Sequence, residues 1–343
     1  MKVREADLRA DRQVLIDLLR ENLPQHGGAA HFDWLYLQNP AGEAKAWLAE
    51  DPASGDAIGV AAAFPRRMYV RGELVSCWNL GDFAIRKRHR SLGPAVALQR
   101  ACLREVTEGR VAFAYDHPAS NMMAIYRRLG IEATGNVVRF AKPLRLDDRI
   151  KAPAVVKPVA NGVAAIGTLL LRTLDMGRAR AASASRVSTG ERVDERFDEL
   201  DRRTCREARV RGSRDADYLK WRYLKSPNQR FEVLTVTQDE TLTGYVVFYQ
   251  SGNNGVIADL LADGRQGVDA LVAGAVELAR QRDLRTLSIP LLEGSSLARR
   301  VGEWGFRARE KAVFVVTTAK PGRWDGVVTR AGDWHVTDGD RDV

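Results

Sequence analysis

The sequence is poor in the residues that build disulfides and metal sites. Its three cysteines, Cys77, Cys102 and Cys205, are scattered through 343 residues. So sparse and odd a set excludes a disulfide framework and fits a reducing, cytoplasmic setting. The five histidines (His26, His31, His89, His117 and His335) form no HxxxH pair, and no cysteine stands at a ligand-like spacing, so no metal is expected. Long apolar runs are missing too. A membrane-spanning helix needs about 18 apolar residues, and the best candidate, residues 163–171, is half that length. No span is expected, although peripheral contact stays open. The opening residues Lys2, Arg4 and Glu5 are charged, so no secretory leader is expected. Hydrophobic residues nevertheless make up 45% of the chain, which excludes a disordered protein and allows two ordinary cores.

The net charge is +9. Residues 141–190 hold nine basic side chains against three acidic ones, Asp147, Asp148 and Asp175, and so carry +6 of that excess. A solvated linker explains such a run, as does contact with anionic lipid or an acidic partner. Pro143, Pro153 and Pro158 disfavour regular structure at its start, and residues 160–176 could form an apolar helix.

The chain repeats itself. Trp34-Leu35-Tyr36-Leu37-Gln38-Asn39-Pro40 and Trp221-Arg222-Tyr223-Leu224-Lys225-Ser226-Pro227 both read W-x-Y-L-x-x-P. Each is followed by a strand-like run, a turn, and a Gly-bearing apolar strand (Ile58-Gly59-Val60 and Gly244-Tyr245-Val246). Each copy later closes a helix with a Gly-apolar pair, Gly130-Ile131 and Gly305-Phe306. Several matches in one order point to two copies of one fold. Periodicity in copy one predicts helices over 14–22, 94–106 and 120–129 and strands over 44–50, 58–65, 67–70, 74–85, 111–115 and 137–140. Pro94 suits a first helical turn, Ser120 a cap and Gly130 a stop. Copy two predicts helices over 195–210, 267–282 and 295–303 and strands over 231–237, 243–250, 255–262, 285–289 and 311–318. The fold class is therefore mixed α/β. The expected units are residues 1–142, a linker over 143–190, and 191–343. The tail from Trp334 to Asp340 is not assigned.

One segment suggests chemistry. Gly81-Asp82-Phe83-Ala84-Ile85 leads through Arg86, Lys87, Arg88, His89 and Arg90 to Ser91-Leu92-Gly93-Pro94-Ala95, a strand, a basic turn and a helix start. The unpaired N–H groups of a helix N-terminus attract anions, glycine lets phosphate approach, and arginine adds charge-assisted bonds. A basic turn is equally often a solvated surface.

Arg90-Ser91-Leu92-Gly93-Pro94-Ala95 resembles the acetyl-CoA signature Q/R-x-x-G-x-G/A of the Gcn5-related acetyltransferase (GNAT) superfamily. About thirty residues on, Asn121-Met122-Met123-Ala124-Ile125-Tyr126 and Gly130-Ile131 resemble that family's later helix. The likeness covers residues 1–140 well and 195–318 as a weaker copy. It implies two modules, each a mixed, mostly antiparallel sheet flanked by helices, and transfer of an acetyl or longer acyl group from acyl-CoA to an amine.

By the same resemblance, Phe83, Ala84 and Ile85 would polarise the thioester with backbone N–H groups. Arg88, Arg90, Ser91, Leu92, Gly93 and Ala95 would hold the pyrophosphate, and Asn121 would lie near the pantetheine. Tyr126 matches the tyrosine that faces the CoA sulfur as general acid; read without the family, it is a core aromatic. Asp82 is the first candidate base, with Asp116 and His117 as alternatives. His89 would face phosphate or solvent. Pro94 departs from the pattern, because it lacks an N–H.

Copy two has no such signature after Asp259-Leu260-Leu261 and no matching tyrosine in residues 295–304. It is expected to have lost CoA and to shape the acceptor pocket or support the fold. The acceptor is unidentified; the basic middle mildly favours an anionic one, such as an amino sugar or an envelope intermediate. Two other functions fit part of the pattern. Fem-like transferases also fuse two such modules but use aminoacyl-tRNA, and a CoA-binding scaffold would need no catalysis. The apparent CoA turn argues against nucleic acid.

Overall fold

The computed structural model describes residues 1–145, 169, 172–173, 175, 186–190 and 192–341. The expected linker helix over 160–176 therefore lies mostly outside the described residues.

The first copy runs β1 (Lys2–Glu5), α1 (Arg12–Asn22), α2 (Ala29–Phe32), β2 (Lys45–Glu50), β3 (Ala57–Val70), β4 (Glu73–Ile85), α3 (Leu92–Thr107), β5 (Ala114–Asp116), α4 (Met122–Arg128) and β6 (Gly135–Pro143). The second runs β7 (Arg186–Gly190), α5 (Glu195–Arg203), β8 (Val210–Gly212), α6 (Ala216–Leu219), β9 (Glu232–Gln238), β10 (Thr241–Ser251), β11 (Asn254–Ala262), α7 (Gly264–Gln281), β12 (Thr286–Leu292), α8 (Ser296–Glu303) and β13 (Arg307–Thr317). A two-residue strand, β14 (Trp334–His335), follows in the tail and pairs in parallel with β8.

Most elements match the expected spans. The strands foreseen over 58–65 and 67–70 are one, β3, because Pro65 and Arg66 stay in register opposite Trp78 and Cys77. The helix foreseen over 195–210 stops at Arg203, and Val210 begins a strand paired with β3. Ser120 does not cap α4; Asn121 takes that position, without a side-chain bond to the helix.

The sheet order is β1-β2-β3-β4-β5-β13-β6-β12-β11-β10-β9-β7. It reads the same from either end once each strand is replaced by its counterpart. The middle is the informative part. β5 of the first copy pairs with β13 of the second, and β12 of the second pairs with β6 of the first. Each copy thus lends its last strand to the other, and one continuous sheet results.

The repeated W-x-Y-L segments meet at the same pseudo-dyad. Each forms a π-type turn, Asp33–Leu37 and Lys220–Leu224. The Trp34 and Trp221 rings stack at 5.0 Å, and each indole N–H donates to the other tryptophan's carbonyl, at 2.8 and 2.9 Å. Tyr36 and Tyr223 are buried beside them. The repeat is therefore core in both copies, and its indole donors are satisfied by symmetry.

Candidate active site

β4 and β5 are parallel and pair only at Trp78–Ala114 and Asn79–Tyr115. Beyond Asn79 the two strands part. In the parted stretch β4 carries a bulge, where its pairing with β3 shifts between Ala84 and Gly81. Asp82 sits in that bulge at φ 48°. The other described non-glycine residues with positive φ (Arg71, Asp239, Glu240 and Asp283) lie in connections, so Asp82 alone holds this conformation inside a strand. Left-handed backbone is costly for such a residue and persists where its surroundings enforce it.

Two side chains do so. The buried Asp82 carboxylate accepts the Tyr36 hydroxyl at 2.7 Å and lies 2.5 Å from His26 Nδ1. The side chain of His26 is 15% exposed and that of Asp82 fully enclosed. His26 lies in the loop after α1, where Gly27 passes so close to that helix that a Cβ would stand 2.3 Å from Arg20 Cα. The loop is thereby held against α1, and His26 is brought to a strand 56 residues away. His31 stacks on His26 with ring centres 5.0 Å apart. Burial pushes the His31 imidazole down to about 4, so it is neutral near pH 7. The carboxylate of Asp82, the expected base, is thus enclosed, and the partly exposed His26 lies against it. Sequence reading missed His26, whose contact with Asp82 is purely tertiary; the following Gly27-Gly28 pair was the one local hint of a constrained loop.

The Asp116 and Tyr126 side chains come together. The buried Tyr126 hydroxyl contacts Asp116 Oδ2 at 2.5 Å and Gln99 Nε2 at 3.3 Å. Tyr126 is core, as its helical spacing allowed, but its oxygen lies among polar groups. His117 is enclosed against Tyr115 and Phe314, and burial lowers it to about 3. Such an imidazole is neutral, and both its nitrogens are buried without a hydrogen-bond partner.

The basic turn has the expected form. Residues Lys87–His89 make one 3-10 turn, and α3 starts at Leu92, two residues before the expected Pro94. Pro94 is the third residue of α3, so Leu92 and Gly93 keep their N–H groups. α3 has no acidic residue in its first turn and no side-chain cap. Space is open where a Gly93 Cβ would stand. Arg90 braces the turn: its Nε donates to the Ile85 carbonyl at 2.9 Å, and a terminal nitrogen donates to Asn22 at 3.1 Å. Arg88 Nε lies 3.0 Å from His89 Nε2. Asn121 is exposed at the start of α4, and Phe83, Ala84, Ile85, Ser91 and Ala95 lie along the strand, turn and helix start. The arrangement fits a pyrophosphate, since backbone donors and positive charge converge at the start of α3; of the turn's basic residues, Arg86 is paired with Glu21 at 3.2 Å and His89 lies 3.9 Å from Asp51.

The second copy differs at the same place. There the N–H of Gly264, at the start of α7, donates to the Glu207 carboxylate at 2.9 Å. The preceding Asp263 is paired with Arg203 at 2.5 Å. Burial raises the pKa of Glu207. A carboxylate of the chain itself thus stands at the start of α7, where α3 has none. Beside it is a cavity of about 510 Å3 whose arginines include Arg265 and Arg300, both paired with Glu303.

Among the described residues no group of three His, Cys, Asp or Glu side chains is placed to hold a metal ion, and no helix is long and apolar enough to cross a membrane.

Residues 3–134 match the family model described as an acetyltransferase (GNAT) domain. No curated protein matches the chain in sequence. Solved structures do match in fold. A GCN5-related N-acetyltransferase from Anabaena variabilis is 14% identical at a TM-score of 0.65, over 92% of this chain and 73% of that one. Eis1 from Mycobacterium abscessus is 14% identical at 0.59, over 96% and 76%. The N-myristoyltransferase of Saccharomyces cerevisiae, solved with myristoyl-CoA, is 14% identical at 0.54, over 92% and 82%. The N-terminal part of the chain is thus a GNAT domain, in a mixed α/β fold shared with these proteins.

Proposed function

We propose that the chain is a CoA-dependent N-acyltransferase whose one working site lies in the first copy. The observation that carries this reading is the pair formed by His26 and Asp82 on a bulged strand that leads directly into an uncapped basic turn. Acyl-CoA would lie with its pyrophosphate at Leu92 and Gly93 and its thioester beside Phe83–Ile85, whose backbone would polarise the carbonyl. His26 would accept a proton from the amine nitrogen. A proton on Nδ1, shared with Asp82, leaves the lone pair on the other ring nitrogen and stabilises the imidazolium that forms. The nitrogen bonds to the carbonyl carbon, the carbon–sulfur bond breaks, and the thiolate takes a proton from Tyr126. Asp82 is then a positioning residue rather than the base itself. Asp116 accepts the Tyr126 hydroxyl before that exchange, and Gln99 would donate to the Tyr126 oxygen as its proton leaves.

The second copy would bind no CoA, because Glu207 already fills its anion position, and would build the acceptor side. The test is calorimetric titration with acetyl-CoA and then with myristoyl-CoA. One site per chain, lost in Gly93→Trp, is the expected result; a Gly93→Trp protein that binds as tightly as the parent would misplace the cradle. No binding of either CoA would turn attention to an aminoacyl-tRNA donor or a scaffold. Tyr126→Phe should lower turnover about 100-fold with CoA affinity unchanged, the lower end of the range for a general acid.

A further inference from the structure

His26 also lines a cavity of about 390 Å3 between the two copies. Gln25 and His26 come from the first copy, Tyr223, Phe231 and Tyr249 from the second, and Asp338 from the tail. The volume suits a small organic molecule. Three aromatic rings form a stepped wall. Tyr223 meets Phe231 edge to face at 5.0 Å, and Phe231 meets Tyr249 in the same manner at 5.5 Å. Tyr223 is kept in place by the tail, for a Cβ on Gly339 would stand 2.4 Å from its hydroxyl.

The lining carries one carboxylate, Asp338, and one guanidinium, Arg222. Asp338 is a carboxylate whose proton affinity is raised by burial, so a cation beside it would relieve the cost of enclosing its charge. Its carboxylate partner, Arg341, is held at a long 3.5 Å. Arg222 also lines the cavity, but a terminal nitrogen donates to the Asp338 and Arg341 carbonyls, and its guanidinium lies 5.7 Å from the Trp34 ring. It fixes the tail through these carbonyls, and its charge, like that of Arg341, also acts on Asp338. An anionic acceptor would meet the Asp338 carboxylate.

An amine in neutral water arrives as an ammonium ion. Aromatic faces and a carboxylate are what stabilise such an ion away from water. We propose that this cavity is the acceptor site and takes a small organic ammonium ion with an aromatic or aliphatic body, seated on Phe231 and Tyr249, held by Asp338, and delivered to His26. The proposal rests on the acyl-transfer reading and adds the class of acceptor to it. It reverses the expectation of an anionic acceptor, which came from a basic segment lying mostly outside the described residues. In this arrangement the second copy supplies the specificity wall of the first copy's site.

The probe is phenethylamine, titrated calorimetrically into the full chain without CoA, with glucosamine 6-phosphate as the anionic comparison. One phenethylamine per chain is expected. Its affinity should fall about tenfold in both Tyr249→Leu and Asp338→Asn, the scale of one desolvated cation–π contact. Asp338→Asn keeps side-chain size and Tyr249→Leu keeps an apolar side chain without the ring, and their thermal midpoints show whether the fold is retained. Absence of phenethylamine binding, equal binding by both folded variants, or tighter binding of the sugar phosphate would overturn the proposal. Acetyl-CoA is titrated separately. Phenethylamine binding that depends on Tyr249 and Asp338, with no acetyl-CoA binding, would sustain the amine site and sink the transferase reading. Acetyl-CoA binding without amine binding would do the reverse.

Discussion

Asp82 and Asp259 occupy the same place in the two copies, each three residues before the end of its strand. Their company is opposite. Asp82 accepts from a tyrosine and contacts a partly exposed histidine that reaches a cavity. Asp259 is fully buried and paired with the Arg214 guanidinium at 2.8 Å, with Thr337 and Tyr245 as further donors. Arg214 in turn pairs with Asp340 in the tail. Burial alone would raise Asp340, but Arg214 overrides it and holds that carboxyl well below its usual range. The same carboxylate position thus meets an imidazole, whose charge can change, in one copy and a permanently charged guanidinium in the other. Catalysis needs a partner whose protonation can change; architecture needs one whose charge is permanent, and arginine supplies that.

The comparison can be broken at several points. The largest effect is expected from cutting the copies apart. A chain ending at residue 145 keeps β5 without β13 and leaves both edges of β6 unpaired. It should show no cooperative unfolding by circular dichroism and should aggregate. A folded, monomeric fragment would make the copies independent modules. Next, His26→Ala should lower turnover by about 100- to 10,000-fold, the range for a general base, with acyl-CoA affinity kept. Asp82→Asn should fall less and should shift the acidic limb of the pH–rate profile, because the imidazolium loses its counter-charge; an unmoved profile would remove the positioning role.

Asp259→Asn tests the other side. Removing one member of a buried ion pair costs about 3–5 kcal/mol, so the urea midpoint should drop while the folded fraction binds acyl-CoA as before. An effect on turnover alone would mean that the second copy retains chemistry. The smallest contrast is between the turns. Arg90→Ala should weaken acyl-CoA binding by about 1.5–3 kcal/mol, as for a hydrogen bond to a charged group, whereas Arg265→Ala should leave calorimetric affinity unchanged. Equal losses would show that both turns bind phosphate.

Much of the first copy was legible because its signals are local. The turn from Arg90 to Ala95 declares itself by residue type, and α1, α3 and α7 by their apolar period. The W-x-Y-L repeat revealed the duplication. The misreadings were of pairing and contact. The helix expected over 195–210 was carried too far, to Val210, because the strand that begins there pairs with β3, remote in sequence. The tail from Trp334 to Asp340 had no readable period because buried partners fix it: Arg66 and Arg214 at Asp340, and Tyr218 at the Gly339 carbonyl. Asp82 was singled out from its position in the strand, but His26 could not be, since the Gly27-Gly28 pair beside it hints at a tight loop without indicating the partner 56 residues away.

By itself, then, the sequence determined the duplicated α/β pattern, the basic turn before α3 and the absence of that turn's signature in the second copy. These depend on spacing of a few residues, and side-chain periodicity and glycine carry that information directly. Tertiary structure decided the exchange of β6 and β13, the His26–Asp82 pair and the cavity between the copies. Strand partners and charge partners far apart in the chain are chosen by the burial and pairing of the whole sheet, a sum over many weak contacts that no short segment encodes.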